Sequence, residues 1–177
     1  TGKDFKDTLV DTTGSIVFSF DNKYIFYSKL DSNHRPKKIY LHKLGSPQKM
    51  DKLIYSEKID RFSVSIYPSM DEKFFIITSG DHSTNKSYLL KIKNGLFKIK
   101  LFKDYKENIS YSLNSWNNFF YMHTNEKADN FKILRSPHTN MRRFSVYVNK
   151  KKETIIDNYL FLNDWFIWKE TKSANSK

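Results

Sequence analysis

The sequence predicts an all-β fold, a partial β-propeller of four-stranded antiparallel blades, about three and a half of them. Three observations lead there: a repeat of nearly fixed length, a high aromatic content, and the absence of helical periodicity. The repeat is a polar turn followed by four apolar or aromatic residues. Its copies are Asp21-Asn22-Lys23 before Tyr24-Ile25-Phe26-Tyr27, Asp71-Glu72-Lys73 before Phe74-Phe75-Ile76-Ile77, Trp116-Asn117-Asn118 before Phe119-Phe120-Tyr121-Met122, and Leu162-Asn163-Asp164 before Trp165-Phe166-Ile167-Trp168. The apolar runs start at 24, 74, 119 and 165, about 45 to 50 residues apart. Fifteen Phe and eleven Tyr help bring the aromatic share to 16%, and such side chains pack well on a pleated surface. No window of a dozen residues keeps apolar positions at i, i+3, i+4 and i+7 behind a cap.

Each copy follows a segment with partial period-two alternation, as in Ile16, Phe18 and Phe20, or Phe62, Val64 and Ile66. The other two such segments are Ile109 to Leu113 and Ile156 to Phe161. The pair reads as a hairpin, because Asn and Asp tolerate left-handed backbone and bond their own turns. After the first three copies come third strands at Ile39-Tyr40-Leu41, Tyr88-Leu89-Leu90 and Phe131-Lys132-Ile133-Leu134. Fourth strands follow at Leu53-Ile54-Tyr55, Ile99-Lys100-Leu101-Phe102 and Phe144-Ser145-Val146-Tyr147. Four antiparallel strands per repeat is the arithmetic of a propeller blade. The expected organisation of residues 1–177 is blades at about 12–58, 59–106 and 107–152, with the first two strands of a further blade in 153–177. A sandwich of short strands is the competing β fold, but it does not require one spacing to return.

Length permits one sizeable core, since a domain of about 150 residues hides roughly 70% of its unfolded surface. The net charge of +12 comes mostly from Lys. Its densest cluster is Arg142, Arg143, Lys150, Lys151 and Lys152, a candidate patch for phosphate or a carboxylate-rich partner. The plain alternative is solvated strand ends and a loop. Aromatics interleaved with Lys would suit stacked bases, but the strand pattern assigns those rings to the core and so disfavours nucleic acid. There is no cysteine, which excludes disulfides, thiolate metal sites and a cysteine nucleophile. A reducing cytoplasm is the expected compartment. No apolar run approaches the roughly 18 residues of a helical membrane span. Polar residues at the start and the Lys172–Lys177 stretch just after an apolar run give the expectation of an excised fragment.

Chemistry-bearing motifs are sparse. No Gly-x-Ser-x-Gly nucleophile turn occurs, and Gly2, Gly14, Gly45, Gly80 and Gly95 lie too far apart for a phosphate loop. Ser79-Gly80-Asp81-His82 sets three triad residue types side by side. Triad members meet from separated elements, so this stretch reads as a turn with a polar tip. His34, His42, His123 and His138 show no metal-ligand spacing. Asp21, Asp71 and Asp164 all recur in the turn of the repeat, which argues for turn chemistry. The sequence thus nominates no catalytic, cofactor-binding or metal residue.

Several ordered motifs resemble one family. Thr13-Gly14-Ser15-Ile16-Val17-Phe18, Asp21-Asn22-Lys23, Phe26-Tyr27, Asp31, Arg35-Pro36, Tyr40, His42 and Leu44-Gly45 are similar to the oligopeptidase B propeller of the prolyl oligopeptidase family. Ser79-Gly80-Asp81-His82-Ser83-Thr84 with Tyr88-Leu89-Leu90, and Ala128-Asp129-Asn130-Phe131-Lys132-Ile133-Leu134, agree in the same order. The resemblance runs from Thr1 to about Glu170. Two departures stand out: Phe18 replaces a usual Trp, and Asn85-Lys86 replaces Ser-Glu. The resemblance implies a seven-bladed propeller over an α/β-hydrolase domain that carries Ser, Asp and His. It implies cleavage after Arg or Lys, with the propeller admitting short peptides and excluding folded proteins. No triad position falls in this chain, whose implied partners are that hydrolase domain and the peptides. Self-association of the fragment through open blade edges, at Trp165, Phe166, Ile167 and Trp168, is a further expectation. A scaffold propeller unrelated to a peptidase and a basic nucleic-acid-binding domain are the alternatives.

Overall fold

A computed structural model describes residues 7–173 and the backbone of 175–176. Four antiparallel sheets follow one another along the chain. The first orders β1 (Thr12–Phe18), β2 (Tyr24–Leu30), β3 (Pro36–Lys43) and β4 (Lys52–Ser56). The second orders β5 (Ser63–Pro68), β6 (Phe75–Gly80), β7 (Asn85–Lys93) and β8 (Leu96–Lys103). The third orders β9 (Tyr111–Trp116), β10 (Phe119–Thr124), β11 (Lys132–Pro137) and β12 (Ser145–Val148). The fourth orders β13 (Thr154–Leu162), β14 (Trp165–Lys172) and β15 (Asn175–Ser176). Sequential neighbours pair throughout, the meander of a propeller blade. The repeated apolar runs form the second strand of every sheet, with Phe74 one residue ahead of β6. Beyond the two strands expected in the last repeat, the two-residue β15 adds a third.

Turn chemistry explains why the hairpins form where they do. Ser19 Oγ donates to Asp21 Oδ1 (2.6 Å), which also accepts the Lys23 N–H. Ser69, Asp71 and Lys73 repeat that arrangement. The residue after each Asp is left-handed, Asn22 at φ 54° and Glu72 at φ 52°. In the third repeat Asn117 (φ 48°) and Asn118 (φ 63°) link the paired Trp116 and Phe119. Two consecutive positive φ values give the primed turn whose twist matches a hairpin.

Contacts divide the chain into two compact units. Among the described residues, one comprises those up to Pro68, Phe74–Asp81 and Lys86–Lys103; the other comprises Ser69–Lys73, His82–Asn85 and those from Asp104 onward. The core of the first holds Phe26, Ile39, Leu41, Ile54, Val64, Phe75, Ile77 and Leu90. The Phe75 ring lies 4.7 Å from Phe26 and 4.3 Å from Phe20. The core of the second holds Tyr121, Ile133, Val148, Ile156 and Phe161.

Candidate functional site

In the first unit, buried polar groups converge on one carboxylate. Glu57 follows β4, and its side chain is 1% exposed. Its Oε2 accepts from Ser79 Oγ (2.5 Å) and Tyr55 Oη (2.7 Å), and pairs with Lys86 Nζ at 3.1 Å. Its Oε1 accepts the N–H groups of Lys58 (2.8 Å) and Ile59 (2.7 Å). Burial pushes this carboxyl up, but donors from Ser79, Ile59, Tyr55 and Lys86 outweigh it and hold the group down at about 2. The same environment, with burial foremost, raises the Tyr55 phenol. A carboxylate so saturated has no lone pair left to act as a base, and its physical role is to tie loop 57–59 to β6 and β7.

Lys37, on β3, is the counterpart cation. Its ammonium donates to the carbonyls of Ile59, Asp60 and Phe62 at 2.6, 2.7 and 2.6 Å, so one side chain satisfies three carbonyls of a loop that lacks strand partners. A third node joins His42 to Asp51. His42 Nδ1 lies 2.7 Å from Asp51 Oδ1, Tyr27 Oη donates to Asp51 Oδ2 at 2.7 Å, and His42 Nε2 lies 3.5 Å from Asp7. No serine or threonine hydroxyl takes part in that node among the described residues.

Ser79-Gly80-Asp81-His82 splits apart in space. Ser79 is fully buried and its hydroxyl donates a hydrogen bond to Glu57, whereas Asp81 pairs with Arg61 at 3.0 Å. The second unit holds a serine, histidine and aspartate that do meet. Ser115 Oγ lies 2.8 Å from Asp71 Oδ2 and 2.7 Å from His138 Nε2. Here the hydroxyl donates its hydrogen bond to the carboxylate, leaving the imidazole N–H to donate to the serine oxygen. That inverts the relay an acyl transfer needs, and Ser115 is fully buried. Sequence spacing gave no hint of this cluster, whose members come from three different segments. His123 Nε2 donates to the Ile156 carbonyl at 2.6 Å, and burial pushes its pKa below the ordinary range.

The two departures at 85 and 86 both acquire partners. Asn85 accepts the Tyr111 N–H (2.8 Å) and donates to its carbonyl (2.9 Å), mimicking a strand neighbour. Lys86 finds Glu57. The five residues of the basic cluster sit at the two ends of β12, with Arg142 and Arg143 ahead of it and Lys150, Lys151 and Lys152 behind. The lysines line a cavity of about 310 Å³ with Asp129 and Asn130, and Lys151 is ion-paired to Glu170 at 2.7 Å.

Aromatic rings dominate the rest of the second unit. Trp116 stacks on Phe161 at 5.0 Å, and Tyr121 lies within 5.4 Å of Tyr147, Phe161 and Phe166. Burial raises the Tyr121 phenol, with Arg135 acting in the opposite direction.

The family described as "Prolyl oligopeptidase, N-terminal beta-propeller domain" matches residues 1–177. The chain belongs to this family. Among relatives of this propeller, Protease 2 of Moraxella lacunata is 32% identical over 124 residues, 70% of this chain and 18% of that protein. Dipeptidyl aminopeptidase BI of Pseudoxanthomonas mexicana is 24% identical over 179 residues, 98% of this chain and 24% of that protein. The structure of oligopeptidase B from Leishmania major superposes with a TM-score of 0.91 at 22% identity, covering 99% of this chain and 25% of that one. That superposition shows the fold. The chain therefore spans about a quarter or less of the length of these relatives. The prolyl oligopeptidase propeller thus accounts for the meander, the repeat length and the partial blade count.

Proposed function

We propose that this chain is the non-catalytic propeller portion of an oligopeptidase B-like serine endopeptidase of the cytoplasm, which cleaves short peptides after Arg or Lys. In this reading it covers an α/β-hydrolase domain and limits access to peptides too small to carry folded structure. The observation that carries it is the family match across residues 1–177, to which the 32% identity with Protease 2 adds weight. The serine geometry is consistent, since both Ser79 and Ser115 are buried and spend their hydroxyls on carboxylates. The test joins this chain to the hydrolase domain of its own gene. The joined enzyme is expected to cleave a short Arg-containing peptide and to spare the same sequence within a folded protein. Equal size discrimination by the hydrolase domain alone would overturn the filter. The isolated chain is expected to resist labelling by a fluorophosphonate probe.

Self-association of the isolated chain has a concrete surface in this reading. Leu160 opposes Ile167, Leu162 opposes Trp165, and the four are 52%, 43%, 56% and 70% exposed. Such an apolar sheet face favours pairing with a second copy about a two-fold axis. Sedimentation should show a concentration-dependent dimer that Ile167→Lys abolishes, and a monomer at every concentration would contradict it.

A further inference from the structure

Arg135 lies in the middle of β11, opposite Tyr121 on β10 and Ser145 on β12. Its guanidinium carbon is 4.4 Å from the Phe119 ring centre and 4.6 Å from that of Tyr147. These rings come from the strands on either side of β11, so they fix the side chain between them. Some cations in the molecule have a counter-charge, as Arg61 has Asp81, Lys86 has Glu57 and Lys151 has Glu170. Arg135 forms no ion pair with a carboxylate among the described residues, although it is partly buried. Two carboxylates of the same unit are already engaged, Glu170 by Lys151 and Trp168, Asp157 by Thr171 and Lys169.

Part of the Arg135 guanidinium is engaged by the Tyr121 hydroxyl, and its remaining N–H donors lie along its edge, in the fork that matches a carboxylate. Holding that fork in place beforehand lowers the ordering cost of binding. We propose that Arg135, walled by Phe119 and Tyr147, receives the terminal carboxylate of a peptide. One cation faces these two rings, which suits a monoanion better than a phosphate dianion. The apolar wall extends to Phe166, 5.0 Å from Tyr147, so an apolar last residue fits beside the carboxylate. That the carboxylate is carried by a peptide rests on the peptidase reading; the anion site itself does not.

The test is a titration of the isotope-labelled chain, followed by the Arg135 side-chain N–H and Tyr147 ring resonances. The probe is N-acetyl-Ala-Phe with a free carboxylate, run beside its C-terminal amide and beside inorganic phosphate. The free acid is expected to give saturable shifts and the amide none. Arg135→Lys, which keeps the charge but loses the fork, should bind roughly tenfold more weakly. Equal shifts with the amide, no shift with the acid, or tighter binding of phosphate would each overturn the proposal in the unaltered protein, whatever the variant does to folding. Failure of the filter in the joined enzyme leaves this binding untouched, so the two readings fail separately.

Discussion

The two units solve the same packing problem with different materials. In the first, β4, β6 and β7 are joined through Glu57, Lys86, Ser79 and Tyr55, with Lys37 holding the adjoining loop. In the second, Trp116, Tyr121, Phe161 and Phe166 join β9, β10, β13 and β14 by ring contact. Directional polar bonds are all-or-none, because removing one partner strands the others without water. Ring contacts are graded and tolerate rearrangement. The comparison teaches that one strand plan supports a brittle joint and a forgiving one in the same chain.

The sharpest way to break the comparison is Glu57→Ala. It removes the carboxylate that Lys86, Ser79, Tyr55 and two amides share and is expected to cost about 3–5 kcal/mol. Phe75→Ala, a fully buried ring in the same unit, should cost a similar amount, about 3–5 kcal/mol. Urea unfolding of both variants measures this; a loss under about 1 kcal/mol for Glu57→Ala would remove the brittle joint.

Acid separates the units next. Glu57 is held at about 2, below the ordinary 4.5, so its contribution is complete above 4.5 and is lost as pH falls towards 2. The amount at stake is roughly 3 kcal/mol. His123 is also depressed, from 6.5. Because burial favours its neutral form, its contribution is complete above 6.5 and declines as pH drops below that value. The second unit should therefore begin to weaken at a higher pH than the first. Urea midpoints across pH 3 to 8 for the native chain, Glu57→Gln and His123→Gln check the order: each variant should flatten only its own step.

A smaller effect tests tolerance in the aromatic joint. Phe161→Leu keeps most of the apolar volume and is expected to cost only about 1.5 kcal/mol. A loss as large as that of Glu57→Ala would mean that both joints are brittle. Smallest is the turn comparison between Asn22 and Glu72, which share one left-handed position. Asn visits that region readily and Glu does not, so Glu72→Asn should stabilise by about 1 kcal/mol, read as a higher urea midpoint.

The strands and hairpin turns were legible because their signals are local: an Asp or Asn beside an apolar run states both a turn and a second strand. The aromatic core was legible for the same reason in the second and third repeats, where Phe75, Phe120 and Tyr121 are buried, but not in the fourth, where Trp165 and Trp168 are exposed. Glu57 was not, since Ser56-Glu57-Lys58 looks like any solvated loop and its partners Ser79 and Lys86 lie 22 and 29 residues away. Lys37 was hidden likewise in Arg35-Pro36-Lys37-Lys38. The Ser115, Asp71 and His138 cluster was invisible to spacing, whereas Ser79-Gly80-Asp81-His82 was conspicuous and comes apart. Burial of a charge is decided by distant strands, which composition and period do not encode.

Lys37 also gives the molecule a clock. Its ammonium, engaged with three carbonyls and 8% exposed, can meet an acylating reagent only when loop 59–62 lets go. The exposed lysines around it react at the rate of the reagent; Lys37 reacts at the rate of opening. Mass-spectrometric counting of that one acyl group over time would turn a buried ammonium into a stopwatch for how often the first unit breathes.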